Sequence, residues 1–249
     1  MIKFREYQEE IIEKGIDIIL TNKFLYLAME VRTGKTLTSL GILNKTEVNN
    51  VLFVTKKKAM SSIQKDYDLL KPSYHFTVIN YESIHKVNQH GWDAIILDEA
   101  HGMGAFPKPS GRAKKVKEII NKNNPLVILL SGTPTPESYS QMYHQVYSIK
   151  GNPFGSYKNF YQFANEFVKV KKKKIGGMYI NDYSKGSEQI IKEMDRFTIR
   201  YSQKDAGFVV KTKEIVLEVP MPSDISKMIN KLKKDLVIDI GSNDGTLLS

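Results

Sequence analysis

The chain has 249 residues, a net charge of +10 at neutral pH and no cysteine. The absence of cysteine excludes disulfides and any zinc or iron–sulfur site held by thiolates. The N-terminal residues lack the pattern of a signal peptide and no apolar run approaches the length of a membrane span. We therefore expect a cytoplasmic protein with no membrane partner. The excess of Lys favours a polyanionic partner such as nucleic acid, although a solvated basic surface has the same composition.

Apolar runs and helical periodicities alternate along the first 150 residues. Five almost wholly apolar runs predict buried strands, at residues 24–29, 51–55, 76–80, 94–97 and 126–130. Helical spacing of apolar residues predicts helices at residues 4–20, 37–43, 59–70, 111–121 and about 137–149. Strands of this kind alternating with helices indicate an α/β fold with a mostly parallel sheet and helices on both faces. In such sheets, ligands bind beyond the carboxyl ends of the strands.

The pattern changes after residue 150. The following segments predict a short aromatic-faced helix at 159–167, a β-hairpin at 168–183 around Gly176-Gly177, a helix at 190–199, a strand at 214–219 and a helix at 223–236. The first arm of the hairpin contains Lys171–Lys174, a run that either faces water or follows a nucleic-acid strand. We therefore expect one domain of residues 1–150, a helical and basic-hairpin extension of residues 151–212, and a returning strand and helix over residues 213–249.

A short polar motif follows the first apolar strand. Gly34-Lys35-Thr36 lies between that strand and the next helix, an arrangement typical of a phosphate-binding loop. Lys35 would then neutralise the β- and γ-phosphates of a nucleotide, and the Thr36 hydroxyl would ligate Mg²⁺. The strict motif is incomplete, because Met29 replaces its first Gly.

Two carboxylates follow the fourth apolar run. A nucleotide site needs one carboxylate to hold Mg²⁺ and one to polarise the attacking water, and we assign these roles to Asp98 and Glu99. His101 comes two residues later. A lone His is more often a structural residue than a functional one, so the motif alone does not decide its role.

Six short segments resemble, in their order along the chain, the motifs of the N-terminal RecA-like lobe of superfamily 2 helicases, and within these the SWI/SNF-like translocases of phages and bacteria. The segments are Phe4-Arg-Glu-Tyr7-Gln8, Thr33-Gly34-Lys35-Thr36, Val54-Thr55-Lys56, Ile79-Asn80-Tyr81-Glu82, the DEAH sequence Asp98-Glu99-Ala100-His101, and Ser131-Gly132-Thr133-Pro134. Two departures are visible. Arg32 stands where the family usually has Gly, and Ile63 where the SWI/SNF-like group often has Trp.

The resemblance implies a RecA-like P-loop domain that uses ATP and Mg²⁺ and acts on DNA, with RNA as the alternative polymer. It further implies that Tyr7 and Gln8 contact the adenine. The nucleotide phosphates would contact Thr33, Gly34, Lys35 and Thr36. The residues that couple the nucleotide site to nucleic acid would be His101, Ser131 and Thr133. Contacts to nucleic-acid phosphates are implied for Thr55, Lys56, Asn80 and Tyr81. Polar residues at strand ends and a Ser-Gly-Thr-Pro turn also occur without any such function.

The family's second RecA-like lobe supplies arginine fingers from a Gln-x-x-Gly-Arg-x-x-Arg motif, and this sequence lacks that motif. We therefore expect a second lobe, in cis or as a separate chain, to complete the site. The main prediction is the ATP-binding motor lobe of a DNA helicase or translocase. The alternative is a nucleotide- and nucleic-acid-binding module with no turnover of its own. A composition rich in Lys and Asn and poor in Arg is typical of an AT-rich genome such as that of a phage.

Overall fold

The computed structural model describes residues 3–175 and 177–207. Within them, six strands form one parallel sheet and two form an antiparallel hairpin. The strands are β1 (Phe24–Met29), β2 (Asn50–Thr55), β3 (His75–Asn80), β4 (Ala94–Asp98), β5 (Leu126–Leu130), β6 (Lys171–Ile175), β7 (Met178–Asp182) and β8 (Thr198–Tyr201). The strand predicted at 214–219 and the helix predicted at 223–236 lie outside the described residues.

The same part of the chain contains seven α-helices. They are α1 (Glu6–Asn22), α2 (Lys35–Asn44), α3 (Met60–Leu70), α4 (Gly111–Asn123), α5 (Met142–Val146), α6 (Phe160–Phe167) and α7 (Gln189–Met194). Side chains cap two of them: Ser110 Oγ accepts a hydrogen bond from the Ala113 N–H at 3.1 Å, and Asn159 Oδ1 accepts one from the Gln162 N–H at 3.0 Å. None of the helices in the described ranges is both long and apolar enough to cross a bilayer.

The strand order of the sheet is β3-β2-β4-β5-β1-β8. The five strands predicted from apolar runs are all present, and the predicted α/β fold with a parallel sheet is confirmed. Because the strands run in one direction, their carboxyl ends share one edge of the sheet. The central strands β4, β5 and β1 are neighbours, so the segments that follow them meet at the middle of that edge.

Helices cover both faces of the sheet. Alternate residues of a strand point to opposite faces, and in β1 Phe24 and Tyr26 pack with residues of α4 to α7, whereas Leu25 and Leu27 pack with residues of α1 to α3. Each face therefore buries its own apolar layer. This two-sided burial explains why the strands have apolar residues at nearly every position rather than at alternate ones.

β8 corrects the helix predicted over residues 190–199. The helix α7 ends at Met194, a 3₁₀ turn follows, and Thr198 then pairs in parallel with Tyr26 of β1. Phe197, which is fully buried, anchors this change of direction through its contact with Phe24, at a ring-centroid distance of 5.3 Å. The predicted extension of residues 151–212 thus contributes a strand to the main sheet.

Two further predictions near residue 150 have different outcomes. The hairpin predicted around Gly176-Gly177 is confirmed, with Lys171 of β6 paired with Asp182 of β7. The helix predicted to about residue 149 is shorter, because a 3₁₀ turn at Tyr139–Gln141 precedes α5. The Ser138 hydroxyl accepts a hydrogen bond from the Ser140 N–H at 3.1 Å and thereby favours this separate turn.

An aromatic cluster holds α6 against the rest of the domain. Phe163 lies at its centre and is fully buried. Its ring centroid is 4.9 Å from that of Tyr143 on α5, 5.0 Å from that of Phe154 and 5.1 Å from that of Phe167. Aromatic rings at these distances and tilted angles add to the free energy of burial.

Substitution of Phe163 by Ala should lower the free energy of unfolding by about 3–5 kcal/mol, because it removes a fully buried ring from this cluster. The control is Tyr161→Ala on the same helix, where the side chain is 46% exposed and the expected loss is below about 1 kcal/mol. Urea unfolding followed by fluorescence measures both. Equal losses would contradict the packing of α6 described above.

Candidate functional site

The loop between β1 and α2 requires left-handed backbone conformations. Gly34, which precedes α2, has a φ of 79°, and a Cβ atom there would lie 2.4 Å from Nε2 of Gln8. Gly34 is therefore needed both for its conformation and for space. Arg32 has a φ of 65°, which costs a non-glycine residue roughly 1–2 kcal/mol. This conformation gives a physical reason for the usual Gly at the position of Arg32.

The loop folds around the carbonyl oxygen of Glu30. That oxygen accepts hydrogen bonds from the Thr33 hydroxyl at 2.7 Å and from the Lys35 ammonium at 3.3 Å. The Thr33 carbonyl accepts one from the Tyr7 hydroxyl at 3.1 Å. Thr36 is half-buried in the first turn of α2. The Lys35 ammonium is thus held by a neutral carbonyl, whereas phosphate oxygens would give it shorter, charge-assisted hydrogen bonds.

Lys35, Asp98 and Glu99 interact electrostatically at the carboxyl edge of the sheet. Burial lowers the pKa of Lys35, and the charges of Asp98 and Glu99 oppose that shift. Burial also raises the pKa of Asp98, while the hydrogen bond from Thr55 and the charge of Lys35 lower it and the charge of Glu99 raises it. Both net shifts disfavour the charged forms, so these side chains do not fully compensate one another. A polyphosphate with its cation would supply further opposite charges.

Three residues predicted to contact nucleic acid have hydrogen-bond partners inside the protein. The Thr55 hydroxyl donates to the Asp98 carboxylate at 2.7 Å, and the Tyr81 hydroxyl donates to the Asp98 carbonyl at 2.6 Å. The Asn80 side chain accepts from the Ser83 N–H at 2.9 Å. All three residues are buried, and their contacts with nucleic-acid phosphates stay predictions. Asp98 and the turn after β3 require these polar groups.

Lys56 differs from those three residues because its side chain is exposed. It follows β2 directly and precedes a 3₁₀ turn at Lys57–Ala59. An exposed ammonium at the carboxyl edge of the sheet is accessible to an external anion. The structure is therefore compatible with the predicted phosphate contact of Lys56, which stays a prediction.

Glu99, His101 and Ser131 form a connected set of polar side chains. Nδ1 of His101 lies 2.9 Å from Ser131 Oγ and 3.3 Å from Oε2 of Glu99. Ser131 Oγ also accepts a hydrogen bond from the Thr133 N–H at 3.2 Å. Glu99 itself has a φ of 52°, a left-handed conformation that a non-glycine residue keeps only where its surroundings determine it. The structure thus joins the segment after β4 to the segment after β5 through side chains.

Gln8 packs against the loop between β1 and α2. Gln8 is buried, with 6% of its surface exposed. Its Oε1 accepts a hydrogen bond from the Arg5 N–H at 3.0 Å, and its Nε2 lies 3.4 Å from the Thr38 hydroxyl. These contacts fix the amide under Gly34. The adenine contact of Gln8 stays a prediction.

Sequence analysis missed a second support of the loop, made by the last residue of β8 and the turn that follows it. The Glu30 N–H donates to the Tyr201 carbonyl at 2.9 Å, and the Glu30 carboxylate accepts from the Gln203 N–H at 2.8 Å. The ring of Tyr201 also stacks on that of Tyr7, with centroids 4.6 Å apart. No local pattern predicts these contacts, because they join distant parts of the chain.

Gln145 is a second residue that sequence analysis missed. Its Oε1 accepts a hydrogen bond from the Tyr26 hydroxyl at 2.8 Å, and its Nε2 donates to the Pro134 carbonyl at 2.8 Å. Gln145 and Tyr26 are both fully or almost fully buried. The amide therefore ties the segment after β5 to the central strand β1. No clear sequence signal marks Gln145, because His144 and Gln141 near it are polar too.

The side chains at the site fit Mg²⁺ only together with phosphate oxygens. The described residues contain no cluster of three or more His, Cys, Asp or Glu side chains that would hold a metal by themselves. Thr36 offers a hydroxyl and Asp98 a carboxylate, which are the oxygen ligands that Mg²⁺ prefers when substrate phosphates complete its shell. A hydroxyl and a carboxylate are thus the donors that these residues offer to a cation bound together with phosphate.

A comparison with protein-family models gives a match to the SNF2-related domain over residues 35–245. The chain belongs to the SNF2-related domain family. This membership confirms the predicted resemblance to the N-terminal lobe of superfamily 2 motors. A comparison of this SNF2-related chain with curated protein sequences gives no match.

One solved structure supports the same fold. The Sulfolobus solfataricus SWI2/SNF2 ATPase core in complex with dsDNA matches with a TM-score of 0.63 and 18% sequence identity. The match covers 84% of the SNF2-related chain and 46% of the Sulfolobus chain. The SNF2-related chain thus spans less than half of that protein. A second match is a nuclease-deletion mutant of the Type ISP restriction-modification enzyme LlaGI in complex with a DNA substrate mimic, with a TM-score of 0.40 and 19% sequence identity. It covers 53% of the SNF2-related chain and 18% of the LlaGI chain.

Replacing Asp98 by Asn should stabilise the nucleotide-free protein at neutral pH. The folded-state pKa of Asp98 is raised, chiefly by burial, so its ionised form lowers the stability of the fold. That cost is absent below the ordinary carboxyl pKa and develops as the pH rises through the raised value. The variant should therefore have a higher thermal midpoint than wild type at neutral pH, and the difference should vanish in acid.

Thermal unfolding between about pH 3 and pH 8 measures this difference, because that range begins below the ordinary carboxyl pKa and extends well above it. Asp68→Asn, an exposed position on α3, is the matched control and should give no such pH-dependent gain. A lower midpoint for Asp98→Asn at neutral pH would contradict the electrostatic description of the site.

Proposed function

We propose that this SNF2-related domain is the ATP-binding motor lobe of a DNA helicase or translocase of phage or bacterial type. It would work in the cytoplasm and couple binding and hydrolysis of Mg·ATP to movement on nucleic acid. The observation that supports it most is the convergence of Lys35, Asp98 and Glu99 beside the loop between β1 and α2. The charges at this point favour a ligand that brings both anionic oxygens and a cation.

Binding of the nucleotide phosphates is the first task of the site. The Lys35 ammonium would exchange the Glu30 carbonyl for β- and γ-phosphate oxygens, and the N–H groups at the start of α2 would face the same anion. Thr36 and Asp98 would hold Mg²⁺, which neutralises charge on the phosphates. The hydrogen bond from Thr55 keeps one oxygen of Asp98 oriented for this role.

Activation of water is the second task. The Glu99 side chain is 34% exposed and lies next to His101, so its carboxylate is open to a water molecule on the phosphate side. Glu99 would accept a hydrogen bond from that water and orient it for in-line attack. His101 and Ser131 would then transmit the state of the phosphate to Thr133 and the segment after β5.

Hydrolysis would need a second RecA-like lobe, in cis or as a separate chain. An arginine finger typically accelerates phosphoryl transfer by about 10³–10⁵, and no Arg of this sequence lies in the family's arginine-finger motif. Residues 1–249 should therefore bind Mg·ATP and hydrolyse it near the background rate, with or without DNA. A binding module without any turnover is the competing function.

The test measures Mg·ATP binding by calorimetry and ATP turnover with and without a second lobe of this family. Lys35→Ala should abolish most of the binding, whereas Lys58→Ala, an exposed control, should not. Adding the second lobe should give DNA-stimulated turnover that Glu99→Gln abolishes. Equal binding by wild type and Lys35→Ala would refute the nucleotide site, and absence of turnover with every second lobe tried would favour the binding module.

The hairpin β6–β7 is the surface that we propose to contact nucleic acid in addition to Lys56. Lys171, Lys172 and Lys174 are exposed, and across the strands Lys174 pairs with Tyr179, which is 69% exposed. Ammonium groups bind backbone phosphates and an exposed aromatic ring stacks on bases, so the pair suits a nucleic-acid strand.

The root of the hairpin lies on the segment that follows β5. The Ser140 hydroxyl donates to the Tyr183 carbonyl at 2.7 Å, and Val168 forms a bridge with Gly186. A Cβ atom on Gly186 would lie 2.7 Å from the Ser140 N atom, so the two segments are in close contact. A strand held by the hairpin would therefore be connected to the segment that contacts His101.

The triple variant Lys171→Ala, Lys172→Ala and Lys174→Ala should weaken binding to DNA and reduce the slope of log K against log salt by about 2–3, since each lost phosphate contact removes about 0.9. Lys173 is retained because it pairs with Asp182 at 2.8 Å. Filter binding over a salt series, with DNA and RNA oligonucleotides of several sequences, measures the slopes.

The matched control removes the same charge from α4, where Lys114, Lys115 and Lys122 are exposed. Its slope should stay close to that of wild type. If both triple variants lose the same slope, the attraction depends on net charge alone and the hairpin is not a specific contact surface.

A further inference from the structure

The turn that follows β8 holds the phosphate-binding loop in place. We propose that Gln203 is a positioning residue of the nucleotide site, acting on the loop backbone through Glu30 and Val31. The proposal rests on the proposed nucleotide function of that loop. It adds to that function a residue that lies about 170 positions away along the chain.

Gln203 contacts the loop with both its backbone and its side chain. Its N–H donates to Oε2 of Glu30 at 2.8 Å, and its Nε2 donates to the Val31 carbonyl at 2.8 Å. The Glu30 N–H donates in turn to the Tyr201 carbonyl at 2.9 Å. Glu30 is therefore held through its backbone N–H and its carboxylate, and Val31 is held through its carbonyl.

The turn is itself ordered by a short hydrogen-bond network. The Asp205 carboxylate accepts hydrogen bonds from the Ser202 N–H at 2.9 Å and from the Ser202 hydroxyl at 2.7 Å. The Tyr201 hydroxyl donates to the Asp205 carbonyl at 3.0 Å. Because these bonds bend the chain back on itself, Gln203 is presented to the loop in a defined orientation.

α1 holds the opposite end of the same loop. Tyr7 stacks on Tyr201 with ring centroids 4.6 Å apart and planes inclined by 16°, and its hydroxyl donates to the Thr33 carbonyl. The backbone is therefore held on both sides of Arg32, at Glu30 and Val31 before it and at Thr33 after it.

The conformation of Arg32 explains why this loop needs such support. A residue with a side chain occupies a φ of 65° only when surrounding contacts determine it. Without the contacts of Gln203, the segment from Glu30 to Thr33 would sample other conformations, and the backbone N–H groups would no longer face one phosphate position. The loss should appear in nucleotide affinity and in local opening of the loop, while the global fold stays intact.

The test compares Glu30→Ala with Glu30→Gln. Both variants remove the carboxylate charge, but the Gln side chain keeps an oxygen that accepts from the Gln203 N–H. Gln203→Ala, which removes only the Nε2 bond to Val31, is compared with Lys204→Ala on the same exposed turn. Circular dichroism and the thermal midpoint establish that each variant folds.

Amide hydrogen exchange of residues 30–35 in nucleotide-free protein is the first readout. Glu30→Ala and Gln203→Ala should exchange about three- to tenfold faster than wild type, the effect of losing one net hydrogen bond. Glu30→Gln and Lys204→Ala should stay close to wild type. Calorimetric titration with Mg·ATP should show the same ranking, with dissociation constants about three- to tenfold higher for the first two variants.

Unchanged loop exchange in Glu30→Ala and Gln203→Ala would overturn the positioning role. Equal effects of Glu30→Ala and Glu30→Gln would also overturn it, since the charge rather than the hydrogen bond would then matter. Faster exchange together with failure of wild type to bind ATP would support the contact and refute the proposed nucleotide function. The exchange measurement needs no nucleotide, so it separates these failures.

Discussion

Parallel pairing of β1, β5 and β4 is the constraint on which the site depends. Leu27 and Asp98 both pair with Leu130, so the phosphate-binding loop, the acidic residues and Ser131 emerge from one edge at the same level. A slip of two residues, the smallest that keeps the same face buried, would move one segment by about 6–7 Å. That distance is longer than a hydrogen bond. Lys35 would therefore no longer lie within reach of the same ligand as Asp98.

The same pairing makes the edge electrostatically unfavourable in the absence of a ligand. A strand buried on both faces delivers Asp98 into a region with little water, and Lys35 arrives there beside Glu99. The apolar layers on the two faces of the sheet stabilise the fold against this cost. Under the proposed function, a nucleotide with its cation would relieve this cost.

Local sequence patterns were sufficient to predict the long, apolar elements and the residues that belong to short motifs contiguous in the sequence. Five strands and the positions of Lys35, Asp98 and Glu99 could be predicted in this way. β8 could not, because Thr198–Tyr201 is a short edge strand whose residues are only partly buried. The orientation of Thr55 was equally inaccessible, since its partner Asp98 belongs to a neighbouring strand.

The position of β8 has a consequence for synthesis of the protein. Tyr26 pairs with Thr198, so one hydrogen-bonding edge of β1 stays open until almost the whole described chain has left the ribosome. Phe24–Met29 is apolar at every position, and an open apolar edge can pair with another nascent chain. Slow or interrupted translation before β8 should therefore promote aggregation, and chaperones that cover exposed strands should raise the yield of folded protein in the cell.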